Sequence, residues 1–203
     1  DLRHVRQDQN HMATTFSFRI SLQAGAETGS ISSLTARAER ALTSAHLLVA
    51  RLEKELSEFL PASPIYHLNR AAPGTKIQLS SEAIELLARA ERLCVQSGGS
   101  FDCTAKSTGG LPGVAHISWD RASRQAWRNH EGACLGFGAI GKGYALDRAR
   151  GLIEAEGFRD YLLSAGGSST ILSGFAAPQT PWTWGWSWNR DQDGDAVGIK
   201  LEH

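Results

Sequence analysis

Phe16, Phe18, Ile20 and Leu22 alternate with Ser17, Arg19 and Ser21. Every apolar side chain of this run therefore falls on one face of a strand, and that face lines a core. Beyond a Gly/Ser-rich turn at 25–33, Leu34, Ala38, Ala41, Leu42, Ala45, Leu48, Val49, Leu52 and Leu56 recur at helical spacing, with Arg37, Glu39, Arg40, Glu53 and Lys54 largely off the stripe. The spacing predicts a long amphipathic helix. A loop with Pro61 and Pro64 follows, then a second helix capped at Ser80 or Ser81, with Glu82 in its first turn, closed by Ser97-Gly98-Gly99.

Further along, 114–119 and 125–127 read as a hairpin joined across Asp120 to Ser123. A glycine-rich turn, 136–143, opens a third helix whose buried side is Tyr144, Ala145, Ala149, Leu152 and Ile153 and whose stop is Gly157. Phe158 to Leu163 reads as a strand, Gly166-Gly167 as a tight turn and Thr170 to Leu172 as another strand. Trp182, Trp184, Trp186 and Trp188 alternate in the manner of one more strand, ahead of a polar loop at 189–195. Segregated helices and mostly antiparallel strands predict an α+β fold. The 203 residues, 41% of them hydrophobic, are enough to bury a core as one large domain, read here as 1–203, or as two packed lobes.

Lys plus Arg and Asp plus Glu both total 21, so charge gives no reason to propose nucleic acid or an acidic membrane as the main partner. Any phosphate binding has to be local. Cys94, Cys103 and Cys134 are too few and too widely spaced for a zinc site or a disulfide framework. No apolar run reaches the ~20 residues of a membrane span. Asp1-Leu2-Arg3 is not a natural start, and Leu201-Glu202-His203 looks like the first letters of a purification tag, so the chain reads as a processed or engineered fragment.

Three segments carry candidate chemistry. Gly136-Phe137-Gly138-Ala139-Ile140-Gly141-Lys142-Gly143 places glycines ahead of a helix, where backbone N–H groups and the helix dipole favour a phosphate. It spells GxGxxG without the acid that a dinucleotide fold needs about 20 residues later, and nearly spells a P-loop but with Gly143 in place of Ser or Thr. A plain helix-start turn fits it as well. Ser97 to Thr104 is either a backbone cradle with oxygens from Asp102 and Thr104 or a helix end followed by an Asx turn. Ser164 to Ser169 is either a ligand loop or a hairpin turn. The tryptophan run reads more readily as core than as a stacking platform. His67, His116 and His130 lack metal-ligand spacing, and no Ser-His-Asp or Cys-His order emerges.

In order along the chain, these pieces resemble the ApbE family. His11-Met12-Ala13-Thr14-Thr15-Phe16 is similar to the family's Met-Gly/Ala-Thr strand start. Leu56-Ser57-Glu58-Phe59 through Tyr66-His67-Leu68-Asn69-Arg70 is similar to its S-T-Y…L-x-x-[FL]-N loop, and Gly98 to Thr104 to its G-G-A-F-D-P-T. Gly136 to Asp147 resembles D-L-G-G-I-A-K-G-Y-A-x-D, and Ser164 to Gly167 resembles N-I-G-G.

The resemblance implies transfer of FMN from FAD to a threonine of a target protein, with Mg²⁺ help and AMP release, in a bacterial protein of the periplasm or anchored at the inner membrane. A flavin-binding homologue without transfer is the alternative. The implied FAD-binding residues are Met12, Phe59, Asn69, Ser100, Phe101, Asp102, Gly136, Lys142, Gly166 and Gly167, with the Ala139 carbonyl as one Mg²⁺ ligand. Catalytic residues remain unassigned. Two departures stand out: Phe59 occupies the place of a stacking tyrosine, and Gly136 that of an FAD-contacting Asp, with no acid nearby in sequence. The chain is short between Thr104 and Val114, which marks a possible gap there. The family's T-S-G and H-x-x-D-P-x-T-G signatures and its remaining metal ligands are expected after residue 203, so the chain by itself is expected to transfer no FMN.

Overall fold

A computed structural model describes residues 2–23, 31–108, 116–186 and 197–200. The turn at 25–33 lies only partly within these residues. The possible gap near 104–114, Trp188, the 189–195 loop and the tag-like end lie mostly or wholly outside them. Contacts divide the chain into two compact units, residues 1–49 with 146–203 and residues 50–145.

The first unit is built on a four-stranded antiparallel sheet. Its strands are β1 (Leu2–His11), β2 (Thr14–Gln23), β6 (Tyr161–Ala165) and β7 (Ser169–Ser173), in the order β1-β2-β6-β7. The alternation read for β2 holds, since Phe16, Phe18 and Ile20 are fully buried. Between β2 and β6 the chain forms α1 (Ile31–Leu56), α2 (Pro64–Leu68), β3 (Ile77–Gln78), α3 (Ser81–Gln96), β4 (Ile117–Asp120), β5 (Gln125–Arg128) and α4 (Gly141–Ala155). Two small antiparallel pairs complete the first unit: β8 (Phe175–Ala177) with β9 (Thr180–Pro181), and β10 (Thr183–Trp186) with β11 (Val197–Lys200).

The N-terminal part of α1 covers the sheet through Ala38, Ala41, Leu42, Ala45 and Val49, all buried. The His46 ring stacks on Phe18 at 4.3 Å, and Gln7 Nε2 donates to the Glu39 carbonyl at 3.1 Å. In the second unit, α3 begins at a Ser80 cap whose Oγ accepts from the Ala83 N–H. It ends where Gly98 and Gly99 take positive φ of 60° and 84° and the Gly99 N–H returns to the Cys94 carbonyl. A three-stranded sheet, β3-β5-β4, lies in the same unit. The α+β expectation and the antiparallel pairing are met.

Several readings need correction. Leu152 is 38% exposed: the buried stripe of α4 runs through Ala145, Leu146, Ala149 and Ile153, and Leu152 sits one position, about 100°, off it. The strand read at Phe158 starts only at Tyr161, because Asp160 turns the chain, its Oδ1 accepting from the Phe175 N–H and its carbonyl from the Ser21 N–H. Trp182 precedes its strand as a buried side chain donating Nε1–H to the Ser173 carbonyl. All three cysteines are free thiols. No helix among the described residues is long and apolar enough to cross a membrane.

His46 makes the first unit sensitive to acid. It is 1% exposed; its Nε2–H donates to the Gln7 carbonyl at 3.2 Å, and its buried Nδ1 has no hydrogen-bond partner among the described residues. Burial pushes its pKa down, and the neighbouring His11 adds to this, outweighing the Gln7 carbonyl and Asp8. The unfolded chain therefore takes up the proton first as pH falls. Stability is full above about pH 6.5 and declines below it, by at most about 1.4 kcal/mol per pH unit. Urea midpoints measured at pH 7.5 and 5.5 should fall more for the wild type than for His46→Leu. Parallel losses would mean that His46 is not the acid-sensitive group.

Candidate functional site

In the second unit three sequence motifs are tied together by hydrogen bonds to the backbone. The N–H of Gly136 donates to the Cys103 carbonyl at 2.8 Å, and that of Thr108 to the Gly132 carbonyl at 2.9 Å. The Cys134 N–H donates to Ser107 Oγ at 2.9 Å. Asn69 clasps the same segment from its other side: its Nδ2 donates to the Leu135 carbonyl and its Oδ1 accepts from the Leu135 N–H, both at 2.8 Å. The Asn69 amide thus orients the chain entering the glycine-rich turn. Asn69 itself follows α2, a five-residue helix that the sequence reading missed, capped by Ser63 with Pro64 at its first position.

The turn is anchored by Phe137, which is buried and whose carbonyl accepts from both Ile140 N–H and Gly141 N–H, at 3.1 and 2.7 Å. Nothing lies within 4 Å of a Cβ placed on Gly138 or Gly143. The backbone there is open to a ligand, and Lys142 and Gly143 occupy the first turn of α4, where N–H groups lack intrahelical acceptors. Lys142 is half-exposed, its Nζ 3.4 Å from the Gly138 carbonyl. Ala139 is exposed. Tyr144 fixes the start of the helix, its hydroxyl donating to Glu85 Oε2 at 3.2 Å.

The 97–104 segment is a helix end followed by an Asx turn. Asp102 Oδ1 accepts from the Thr104 N–H at 2.7 Å and from its hydroxyl at 2.6 Å, and Ser97 Oγ accepts from the Phe101 N–H. Ser100 is exposed and Phe101 half-buried. Burial, with the Asp102 charge adding to it, pushes the Cys103 thiol up to about 12. Burial, and then Glu58, pushes the Cys134 thiol up as well. Neither sulfur is a thiolate nucleophile near neutral pH.

Three residues that the sequence reading did not single out belong to this cluster. Glu58 brings an acid to Gly136 after all: its carboxylate oxygens lie 3.1 and 3.3 Å from where a Cβ on Gly136 would stand. Lys106 Nζ donates to Glu58 Oε1 at 2.5 Å and sits 5.0 Å from the centre of the Phe59 ring, which is 73% exposed. Arg128, 7% exposed, donates to the carbonyls of Ala71, Glu131 and Ala133. No local sequence signal marks this, since in β5 it is Ala126 and Arg128 that are buried while the larger apolar Trp127 is half-buried.

In the first unit Met12 and Ala13 form the β1–β2 turn, with φ of 49° and 59°, and Gly166 and Gly167 form the β6–β7 turn, with φ of 59° and 68°. The Met-Ala-Thr segment is therefore a turn before a strand, and the Gly-Gly segment is the hairpin turn. The two turns lie at the same end of the sheet, since the Gly166 N–H donates to the Thr15 carbonyl at 2.9 Å.

Among the described residues no group of three His, Cys, Asp or Glu side chains gathers to hold a metal ion. Ala139 offers a single backbone oxygen, short of the octahedral shell that Mg²⁺ prefers.

Three solved structures share this fold. Flavin transferase ApbE from Vibrio cholerae superposes with a TM-score of 0.79 at 16% identity, over 98% of this chain and 69% of that one. Pseudomonas stutzeri flavinyl transferase ApbE, in its apo form, gives 0.79 at 20% identity, over 99% and 66%. The ApbE protein of Thermotoga maritima gives 0.72 at 17% identity, over 98% and 68%. A comparison with curated proteins finds no match. The ApbE family model matches residues 12–199, a span that contains every motif on which the sequence resemblance rests, and with it the chain belongs to the ApbE family.

Proposed function

We propose that this protein binds FAD and takes part in transferring its FMN half to a threonine hydroxyl of a target protein. The observation that carries the proposal is the convergence, in the second unit, of an exposed aromatic ring at Phe59, the Asn69–Leu135 clasp, the 97–104 turn and the open glycine-rich turn ending in Lys142. Family membership and the flavin transferases that share the fold support it.

In this reading the open turn and the start of α4 hold the pyrophosphate, because N–H groups there point outward at the positive end of the helix dipole. Lys142 offsets its charge. Phe59 stacks on a planar ring, and Ser100, Phe101 and Asp102 line the backbone beside it. In the first unit the reading assigns Met12 and the Gly166–Gly167 turn to the flavin. The reaction forms a bond from the threonine oxygen to the FMN phosphorus and breaks that phosphorus's bond to the bridging oxygen. The bridging oxygen leaves with AMP, and the hydroxyl proton is lost. Mg²⁺, with the Ala139 carbonyl as one ligand, belongs to the same proposal; the ion would supply charge neutralisation when bound. The protein's setting is bacterial, in the periplasm or at the inner membrane.

Lys142→Ala should weaken FAD binding by about 10- to 100-fold, the worth of one charge-assisted hydrogen bond, while Lys54→Ala, an exposed change on α1, leaves it unaltered. Flavin fluorescence titration separates the two, and equal behaviour would return Lys142 to the solvated surface. Transfer itself is tested with FAD, Mg²⁺ and an acceptor protein carrying the threonine. An FMN-sized mass gain with AMP release supports it; FAD binding with neither is the outcome expected of residues 1–203 by themselves, and in a longer form of the protein it marks a flavin-binding protein that does not transfer.

A further inference from the structure

Helix α1 ends at Leu56, and Ser57 turns the chain by accepting hydrogen bonds from the N–H groups of Phe59 and Leu60 at 3.1 and 3.2 Å. Glu58 is held between them with only 10% of its side chain exposed. A carboxylate this deep needs compensation, and Lys106 supplies it at 2.5 Å while remaining 61% exposed. The position of Lys106 is set by the segment whose neighbours Cys103, Ser107 and Thr108 are hydrogen-bonded to 132–136. Lys106 and Gly136 thus lie on mutually bonded stretches of backbone, and Glu58 reaches both through its side chain.

Glycine at 136 is what admits the acid, because any side chain there would start 3.1 Å from Glu58 Oε1. An ion pair with one partner this buried is weak evidence of stabilisation, because desolvation of the carboxylate offsets much of the attraction, so folding alone gives this arrangement little reason to exist. Beside a phosphate-binding turn a lone carboxylate would oppose the anion, whereas a carboxylate neutralised by Lys106 does not. It still keeps acceptor capacity, since a carboxylate has room for about four hydrogen bonds. What it recognises is therefore a donor: a hydroxyl or ring N–H attached to the phosphate.

Resting on the FAD reading above, we propose that Glu58 is a specificity residue that accepts a hydrogen bond from a hydroxyl or ring N–H of FAD. Lys106 keeps the cluster neutral, and Gly136 leaves the space. Glu58 then favours a nucleotide over bare pyrophosphate, which has no ribose or ribityl hydroxyl and no ring N–H to offer.

The test measures FAD and inorganic pyrophosphate affinities for wild type, Glu58→Ala, Glu58→Gln, Gly136→Asp and the double variant Gly136→Asp/Glu58→Ala, with circular dichroism to confirm folding. Glu58→Ala should weaken FAD by about 10- to 100-fold and leave pyrophosphate unchanged or tighter. Glu58→Gln should fall between it and wild type, and serves in its place if the alanine variant does not fold. Gly136→Asp alone should bind poorly, as two carboxylates compete for one space. The double variant returns a carboxylate to that space from the other side and should regain most of the lost FAD affinity. Wild type that binds FAD with Glu58→Ala equal to it, or a double variant no tighter than Glu58→Ala, overturns this assignment alone. Wild type that binds no FAD overturns the FAD reading and this assignment with it.

Discussion

Arg128→Met is expected to lower the stability of the protein by about 2–4 kcal/mol and to weaken the proposed FAD binding with it. The guanidinium is 7% exposed and serves the carbonyls of Ala71, Glu131 and Ala133. Methionine keeps the unbranched stem but stops short of the guanidinium and donates nothing, so three carbonyls lose their donor in a site where each orphaned group costs about 1–3 kcal/mol. Relief from burying a charge offsets part of that sum. The tie also joins the loop after Asn69 to the stretch leading into Gly136, so its loss loosens the entry to the glycine-rich turn. Urea unfolding should show a lower midpoint at unchanged slope, and a loss under 1 kcal/mol would mean that water replaces the guanidinium without penalty.

A second large effect is expected at the β6–β7 turn, where the two glycines give a built-in comparison. Gly166 and Gly167 have nearly the same positive φ, 59° and 68°, so alanine at either carries a similar backbone strain of about 1–2 kcal/mol. Their surroundings differ. A Cβ on Gly166 would overlap Thr14 Oγ1 and come 3.1 Å from Thr14 Cβ, whereas one on Gly167 meets nothing within 4 Å. Gly166→Ala should therefore lower stability by about 2–4 kcal/mol and Gly167→Ala by only the strain. Equal losses would show that Thr14 gives way freely.

Much of this fold was legible because its long elements repeat. Helices α1 and α3 carry apolar positions over several turns, and Ser80 and Gly98-Gly99 mark the ends of α3. Strand β1 was not legible: among the described residues it pairs only with β2, and Val5 is the one apolar residue of β1 described as buried. Helix α2 is too short for any periodicity, and only Ser63-Pro64 announced it. For the site, the glycine turns were readable because positive φ and close approach restrict residue type. The Glu58–Lys106 pair was not, since its partners are 48 positions apart and nothing in local sequence reports on proximity that the tertiary fold creates. Asn69 and Asp102 were found as residues, while the local bonds that occupy them needed coordinates.

In the proposed function the second unit builds an FAD site around the glycine-rich turn. This is tested most directly by titrating the protein with FAD and following flavin fluorescence and thermal stability together, for wild type, Lys142→Ala and Phe59→Ala. Saturable quenching with a rise in melting temperature for wild type, and weaker binding in both variants, is the expected result. No quenching and no thermal shift with wild type, or variants that bind as wild type does, would contradict it.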